Sequence, residues 1–181
     1  MAKSKNIVRL RGKNVNLCAL RTDDEAIKLY TKWMNDESFN MWIGNHNCIY
    51  TINEEKKWAE RERKDWELEF NIVEKKTSKL IGNCSLCYNN ITAYLGICIG
   101  EKSGRNKGYG TETIKMLIDY AFNQLNRHRV ELCVNSENIR AITCYKNCGF
   151  TECGRFRESE YYNGHYCDIL CMEILRDEYK G

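Results

Sequence analysis

The sequence predicts a mixed α/β (α+β) fold built on a largely antiparallel sheet, with six to seven strands and about four helices. Three observations carry that expectation. Apolar residues recur at helical spacing in separate segments, most clearly at Ile114, Leu117, Ile118, Ala121, Phe122 and Leu125. Short runs rich in Val, Ile, Leu, Cys and Tyr lie between those segments, bounded by Asn and Gly. Two connections, Asn89-Asn90 and Asn163-Gly164, read as hairpin turns, the second strongly, because Asn and Gly both accept positive φ.

In chain order, residues 1–6 are expected to be a flexible tail. The basic stretch with Lys3, Lys5, Arg9, Arg11 and Lys13 is a solvated lead-in to a strand at 15–20. Thr22 or Asp23 can cap a helix that turns Ile27, Tyr30 and Met34 inward. Residues 36–51 are irregular and rich in aromatics and Asn, and 53–66 is a charged helix with Asn53 as its cap. Strands follow at 68–75, 79–88 and 92–100, then a helix at 108–125 and a strand at 129–134. A short helix ends near Gly149, and strands at 151–159 and 166–174 close the chain. No repeat, linker or boundary divides the 181 residues, so 1–181 reads as one domain.

Composition excludes several classes. A net charge of +3 gives no reason for a nucleic-acid partner. No window approaches the ~18 apolar residues of a membrane span, and the N-terminus has no apolar signal core, which points to the cytoplasm. The eleven cysteines are an odd number in a chain with a sizeable core, so they read as reduced thiols. Cys84 and Cys87 form a lone CxxC in a strand, where positions three apart face opposite sides, so no metal site is expected. Cys144 and Cys148 share a helix face near Cys153, which leaves a redox role open.

The stretch "GRNKGYGTET", 104–113, carries the chemistry. A strand running into a helix leaves the first helical amides unpaired at the positive end of the helix dipole, where an anion is favoured. Glycines let the backbone curl around phosphate oxygens, and Arg105 and Lys107 add charge. A P-loop needs Gly-Lys followed by Ser or Thr, but here Lys107 precedes Gly108 and Tyr109. A dinucleotide fingerprint needs a third glycine where Thr113 stands. A glycine-rich loop without ligand remains the plain alternative.

Arg105-x-x-Gly108-x-Gly110 resembles the acetyl-CoA pyrophosphate loop of the GNAT N-acetyltransferase superfamily, and "VNSENIRAITCYKNCGF", 134–150, resembles its closing motif through Asn138, Ala141, Tyr145 and Gly149-Phe150. The order of elements from 15 to 175 agrees, so the resemblance covers nearly the whole chain. It implies acetyl-CoA as acyl donor. Backbone amides of Arg105, Asn106, Lys107, Gly108, Tyr109, Gly110 and Thr111 would hold the pyrophosphate, and Asn138 would touch the cofactor while capping its helix. The strand through Ile97, Cys98 and Ile99 would pair with the pantetheine arm and offer amides to the thioester carbonyl. Gly96, Cys98 and Gly100 share a strand face, which would let another chain approach, unless they mark a bulge or bend.

The resemblance further implies direct attack by an amine with both substrates bound together. Tyr145 is then the proton donor to the leaving thiolate, or alternatively a residue that packs on the cofactor. Many relatives carry a Glu on the strand where this chain has Leu95, so the base is sought through water at Glu158, Glu160, His165 or Asp168, with Glu158 ranked first, or the small neutral fraction of the amine is captured without a base. The type resembles acetyltransferases of polyamines and of ribosomal-protein N-terminal alanine. A spermidine-like acceptor is the reading taken, with a protein N-terminus or an aminoglycoside as alternatives. Asp36, Glu37, Trp42, Tyr50, Glu54 and Glu55 would line its pocket. A non-catalytic acyl-CoA-binding module is the reading from another class, and a homo-oligomer is left open.

Overall fold

The computed structural model describes residues 6–43 and 48–180. The chain runs β1 (Val8–Arg11), β2 (Val15–Ala19), α1 (Asp24–Met34), α2 (Glu37–Asn40), α3 (Ile52–Glu60), β3 (Glu67–Glu74), β4 (Leu80–Tyr88) and β5 (Thr92–Cys98). It continues with α4 (Tyr109–Asp119), β6 (Arg129–Asn135), α5 (Ile139–Lys146), β7 (Thr151–Tyr162) and β8 (His165–Leu175). The eight strands form one sheet in the order β1-β2-β3-β4-β5-β6-β8-β7. Every neighbouring pair is antiparallel except β5 with β6.

Several expectations are corrected. The sheet has eight strands rather than six or seven, because Val8–Arg11 pairs with β2 instead of continuing a solvated lead-in. Its alternation puts Val8 and Leu10 half inward and Arg9 and Arg11 outward. Of the expected tail, residues 1–5, with Lys3 and Lys5, lie outside the described residues, as do 44–47 of the irregular segment. Asp36 caps a single helical turn, α2, within that segment. Trp33, not Met34, completes the buried face of α1, whose cap is Asp23. The charged helix α3 starts one residue before Asn53 and is capped by Thr51, with Glu54 completing a reciprocal capping box. It stops at Glu60 because Arg61 is extended, its guanidinium bridging Glu67 and Glu69 on β3. The helix from 109 ends in a wide π turn over Tyr120–Gln124.

Strand alternation sends neighbouring residues to two different apolar clusters. Ile81, Ile97 and Ile99 join the larger one, with Leu117, Ile118 and Phe122 of the α4 segment and Ile142 of α5. Leu80 and Cys98 join the smaller one, with Ile27, Tyr30 and Trp33 of α1 and Ala59 of α3. Two helical layers thus cover opposite faces. Each fully buried Leu, Ile or Phe contributes about 1.5–3 kcal/mol to holding them there. A buried polar relay ties α1 to the sheet: the Tyr30 hydroxyl lies 3.0 Å from Asn71 Oδ1, which accepts the Arg21 amide at 2.9 Å.

β4 pairs with β5 from Ala93 to Cys98, whereas β6 meets β5 only over Thr92, Ala93 and Tyr94. β6 then continues beside β8 as far as Asn135. Beyond Tyr94 the sheet therefore splits, and one edge of Leu95–Cys98 has no strand beside it among the described residues.

Candidate active site

The split opens into a cleft of about 670 Å³. Leu95 to Ile99 form one wall, Cys133 to Asn135 and α5 the other, and the start of α4 closes one end. The first intrahelical bond of α4 runs from the Glu112 amide to the Gly108 carbonyl, so the amides of Tyr109, Gly110 and Thr111 have no acceptor within the helix. No side chain caps this terminus, because its capping residue is Gly108 at φ 78°. Asn106 also takes positive φ, at 60°, which curls the loop as a phosphate nest requires. A Cβ built on Gly108 or Gly110 meets nothing within 4 Å, so packing within the chain does not demand either glycine's small size.

The two expected cations behave differently. Arg105 turns its guanidinium back onto the carbonyls of Ile99 and Gly100, both at 3.1 Å, and fixes the end of β5. Its amide donates to Lys102, so the free amides begin at Asn106. Lys107 does not line the cleft. Its ammonium sits 3.7 Å from Glu74, which also accepts the Tyr109 hydroxyl at 2.6 Å. The helix terminus offers its partial positive charge to an anion here, beside Arg140, which also lines the cleft.

A second cavity of about 490 Å³ adjoins the cleft and shares Phe39, Ile43, Gly96, Ile97 and Cys98 with it. Tyr30, Trp33, Tyr50 and Trp58 give it aromatic walls, and Glu54, Glu55 and Glu69 bring carboxylates. Glu69 is neutralised by Arg61 and Arg63, and Glu54 is held by Thr51. Glu55 is only 5% exposed and has no cationic partner among the described residues. Burial first, then the Glu54 charge, pushes its carboxyl above the ordinary 4.5.

Trp42, Tyr50, Glu54 and Glu55 therefore line cavities, Trp42 in the cleft with its ring centroid 5.0 Å from that of Tyr162. Asp36 and Glu37 do not. Asp36 is occupied capping α2 and pairing with Lys102 at 3.2 Å. Asn138 faces the cleft and caps α5 through the Ala141 amide, so both expected positions coincide. Tyr145 lines the cleft, and its hydroxyl donates to no acceptor among the described residues. Burial, reinforced by the neighbouring thiols Cys144, Cys98 and Cys148, raises its phenol, which keeps it protonated.

Glu158 is placed outside both cavities. Between Phe156 and Glu160 the register of β7 against β8 shifts, so alternation breaks and Glu160 faces the cleft instead. Gly96 and Gly100 also have a different reason to be small. A Cβ at Gly96 would press on the Ser85 hydroxyl, and one at Gly100 would enter the Trp33 ring. Sequence reasoning missed Trp33, Trp58 and Glu69 of the second cavity, although Trp33 follows Tyr30 by three on one helix face. It also missed Cys144 as a cleft residue, 3.2 Å from the Thr111 hydroxyl.

Fold and cleft together define an acyltransferase that uses acetyl-CoA, and comparison with known proteins agrees. The family description "Acetyltransferase (GNAT) domain" matches residues 14–151, and the chain belongs to that family. It is 32% identical to the uncharacterized N-acetyltransferase p20 of Bacillus licheniformis, over 91% of this chain and 88% of that one. It is 35% identical to a spermidine N(1)-acetyltransferase of Vibrio cholerae, over 60% of this chain and 64% of the other. Among solved structures, the spermidine N-acetyltransferase of Vibrio cholerae in complex with CoA and spermine superposes with a TM-score of 0.81 at 27% identity, covering 93% of this chain and 99% of that one.

Proposed function

We propose that this chain is a polyamine N-acetyltransferase, acting as a single domain on a spermidine-like acceptor. One observation carries the reading: the bare helix terminus and the unpaired carboxylate Glu55 lie in two cavities that meet at Gly96, Ile97 and Cys98. A polycation suits a buried carboxylate among aromatic faces, and a diphosphate suits unpaired amides. The spermidine acetyltransferases among its relatives support the same acceptor class.

Bound acetyl-CoA supplies the thioester that an amine attacks. Asn106 to Thr111 hold the anionic end at their main-chain N–H groups, and Asn138 adds a side-chain contact from α5. The free edge of Ile97 to Ile99 offers hydrogen bonds along the cleft and donors for an oxygen that gains charge. Tyr145 keeps a proton at its hydroxyl and gives a hydrogen bond to a developing thiolate. Glu55 draws the acceptor's ammonium groups into the second cavity.

Assay with acetyl-CoA and spermidine, spermine, an Ala-terminated peptide and an aminoglycoside, read as acetylated product by mass spectrometry, tests the reading. Turnover is expected with the polyamines. Turnover on the peptide or the aminoglycoside alone would overturn it, as would CoA binding without any product.

Glu55→Gln is expected to raise the spermidine KM roughly tenfold or more, because a charged hydrogen-bond partner is lost. The same change is expected to raise Tm at pH 7. With a folded-state pKa above the ordinary 4.5, Glu55 favours the fold below that value and loses that contribution as pH rises through the raised one. The Tm gain should therefore vanish near pH 4. An unchanged KM would remove Glu55 from acceptor binding.

A further inference from the structure

We propose that Glu137, His165 and Cys167 form a binding site for one divalent zinc ion, distinct from the acetyl-transfer chemistry. Their ligand atoms all lie within 4.8 Å of one another, although they come from the β6–α5 connection and from β8. Tetrahedral zinc holds such atoms about 3.5 Å apart, so small side-chain rotations close the set around an ion. The pairing of thiol, imidazole and carboxylate selects zinc-like ions over magnesium or calcium, which take oxygen alone.

The surroundings orient these donors. His165 Nδ1 faces the Asn163 carbonyl at 3.3 Å, an acceptor that would hold a proton on Nδ1 when Nε2 ligates a metal. Nε2 lies 2.5 Å from Glu137 Oε1, a hydrogen bond in which Nε2–H donates to the carboxylate. Zn²⁺ would replace that proton, with Nε2 and the carboxylate oxygen opening by about 1 Å and Cys167 serving as third ligand. The Cys167 sulfur is buried, accepts from Asn135 Nδ2 at 3.3 Å and donates to the Glu160 carbonyl at 3.4 Å, so both contacts fix its position. The same Asn135 nitrogen donates to Glu160 Oε2 at 2.5 Å, and both residues line the cleft. The exposed side of His165 leaves a fourth position open to water. An ion here sits at the cleft's rim and reaches it through Asn135.

The test uses the full-length chain, kept reduced with a phosphine that does not bind metals. Titration with Co²⁺ is expected to develop a near-ultraviolet thiolate-to-metal band that saturates at one equivalent, and Zn²⁺ should displace it. Cys167→Ser and His165→Gln should each abolish the band and weaken Zn²⁺ binding by about 100-fold or more. Cys153→Ser, at an exposed thiol on β7, should change neither. His165 is exposed, so its variant reports even where the buried Cys167 variant fails to fold. A band of wild-type intensity in His165→Gln, or an equal loss in Cys153→Ser, overturns the site.

Discussion

Replacing Gly108 with Asn is expected to abolish acetyl-CoA binding while leaving the chain folded. Gly108 adopts φ 78°, a region that Asn enters at a cost on the order of 1 kcal/mol. The neighbouring Asn106 already does so at 60°. No atom lies within 4 Å of the new Cβ, so the substitution meets nothing in the free protein. A cost of that size shifts Tm by only about 2–4 °C. In the complex, however, the side chain occupies space beside the amides assigned to the pyrophosphate. A loss of 100-fold or more in affinity, about 2.7 kcal/mol by calorimetry, is expected. Valine is a poorer probe, because a β-branched residue at this φ strains the loop by itself. Native affinity in the Asn variant would move the diphosphate away from this junction.

Tyr145→Phe should lower kcat about 100-fold with little change in the acetyl-CoA KM. The ring would still pack 6.0 Å from Phe150, so the cleft keeps its shape and only the hydroxyl is lost. Burial raises the phenol above its ordinary value of 10, so its ionisation should not reduce activity below pH 10. Single-turnover rates measure the step directly. A variant as fast as the parent in that measurement would leave Tyr145 as packing alone.

Local chemistry made much of this site legible. The glycines after β5 announce a turn with bare amides, and Asn138 announces a helix cap. Both follow from neighbours along the chain. What stayed hidden depends on partners far away in sequence. Lys107 is drawn to Glu74, 33 positions earlier, instead of to the cleft. The bulge after Phe156 exchanges Glu158 for Glu160, and no period-2 pattern records such an insertion. The acceptor-side carboxylates looked alike in sequence. Only the fold shows that Lys102 pairs with Asp36 and Thr51 holds Glu54, whereas Glu55 is buried with no cationic partner among the described residues. β1 was missed because four residues with two arginines carry little apolar signal, and its pairing comes from β2.

The two chambers touch across a window only three strand residues wide, Gly96 to Cys98. A bisubstrate adduct, with a polyamine joined through an acetyl bridge to the sulfur of CoA, would thread that window and fill both sides at once. Tethering makes the second contact intramolecular, so such an adduct should bind far more tightly than either half. Lengthening its bridge should erode that advantage steeply, which turns the window into a molecular ruler for inhibitor design.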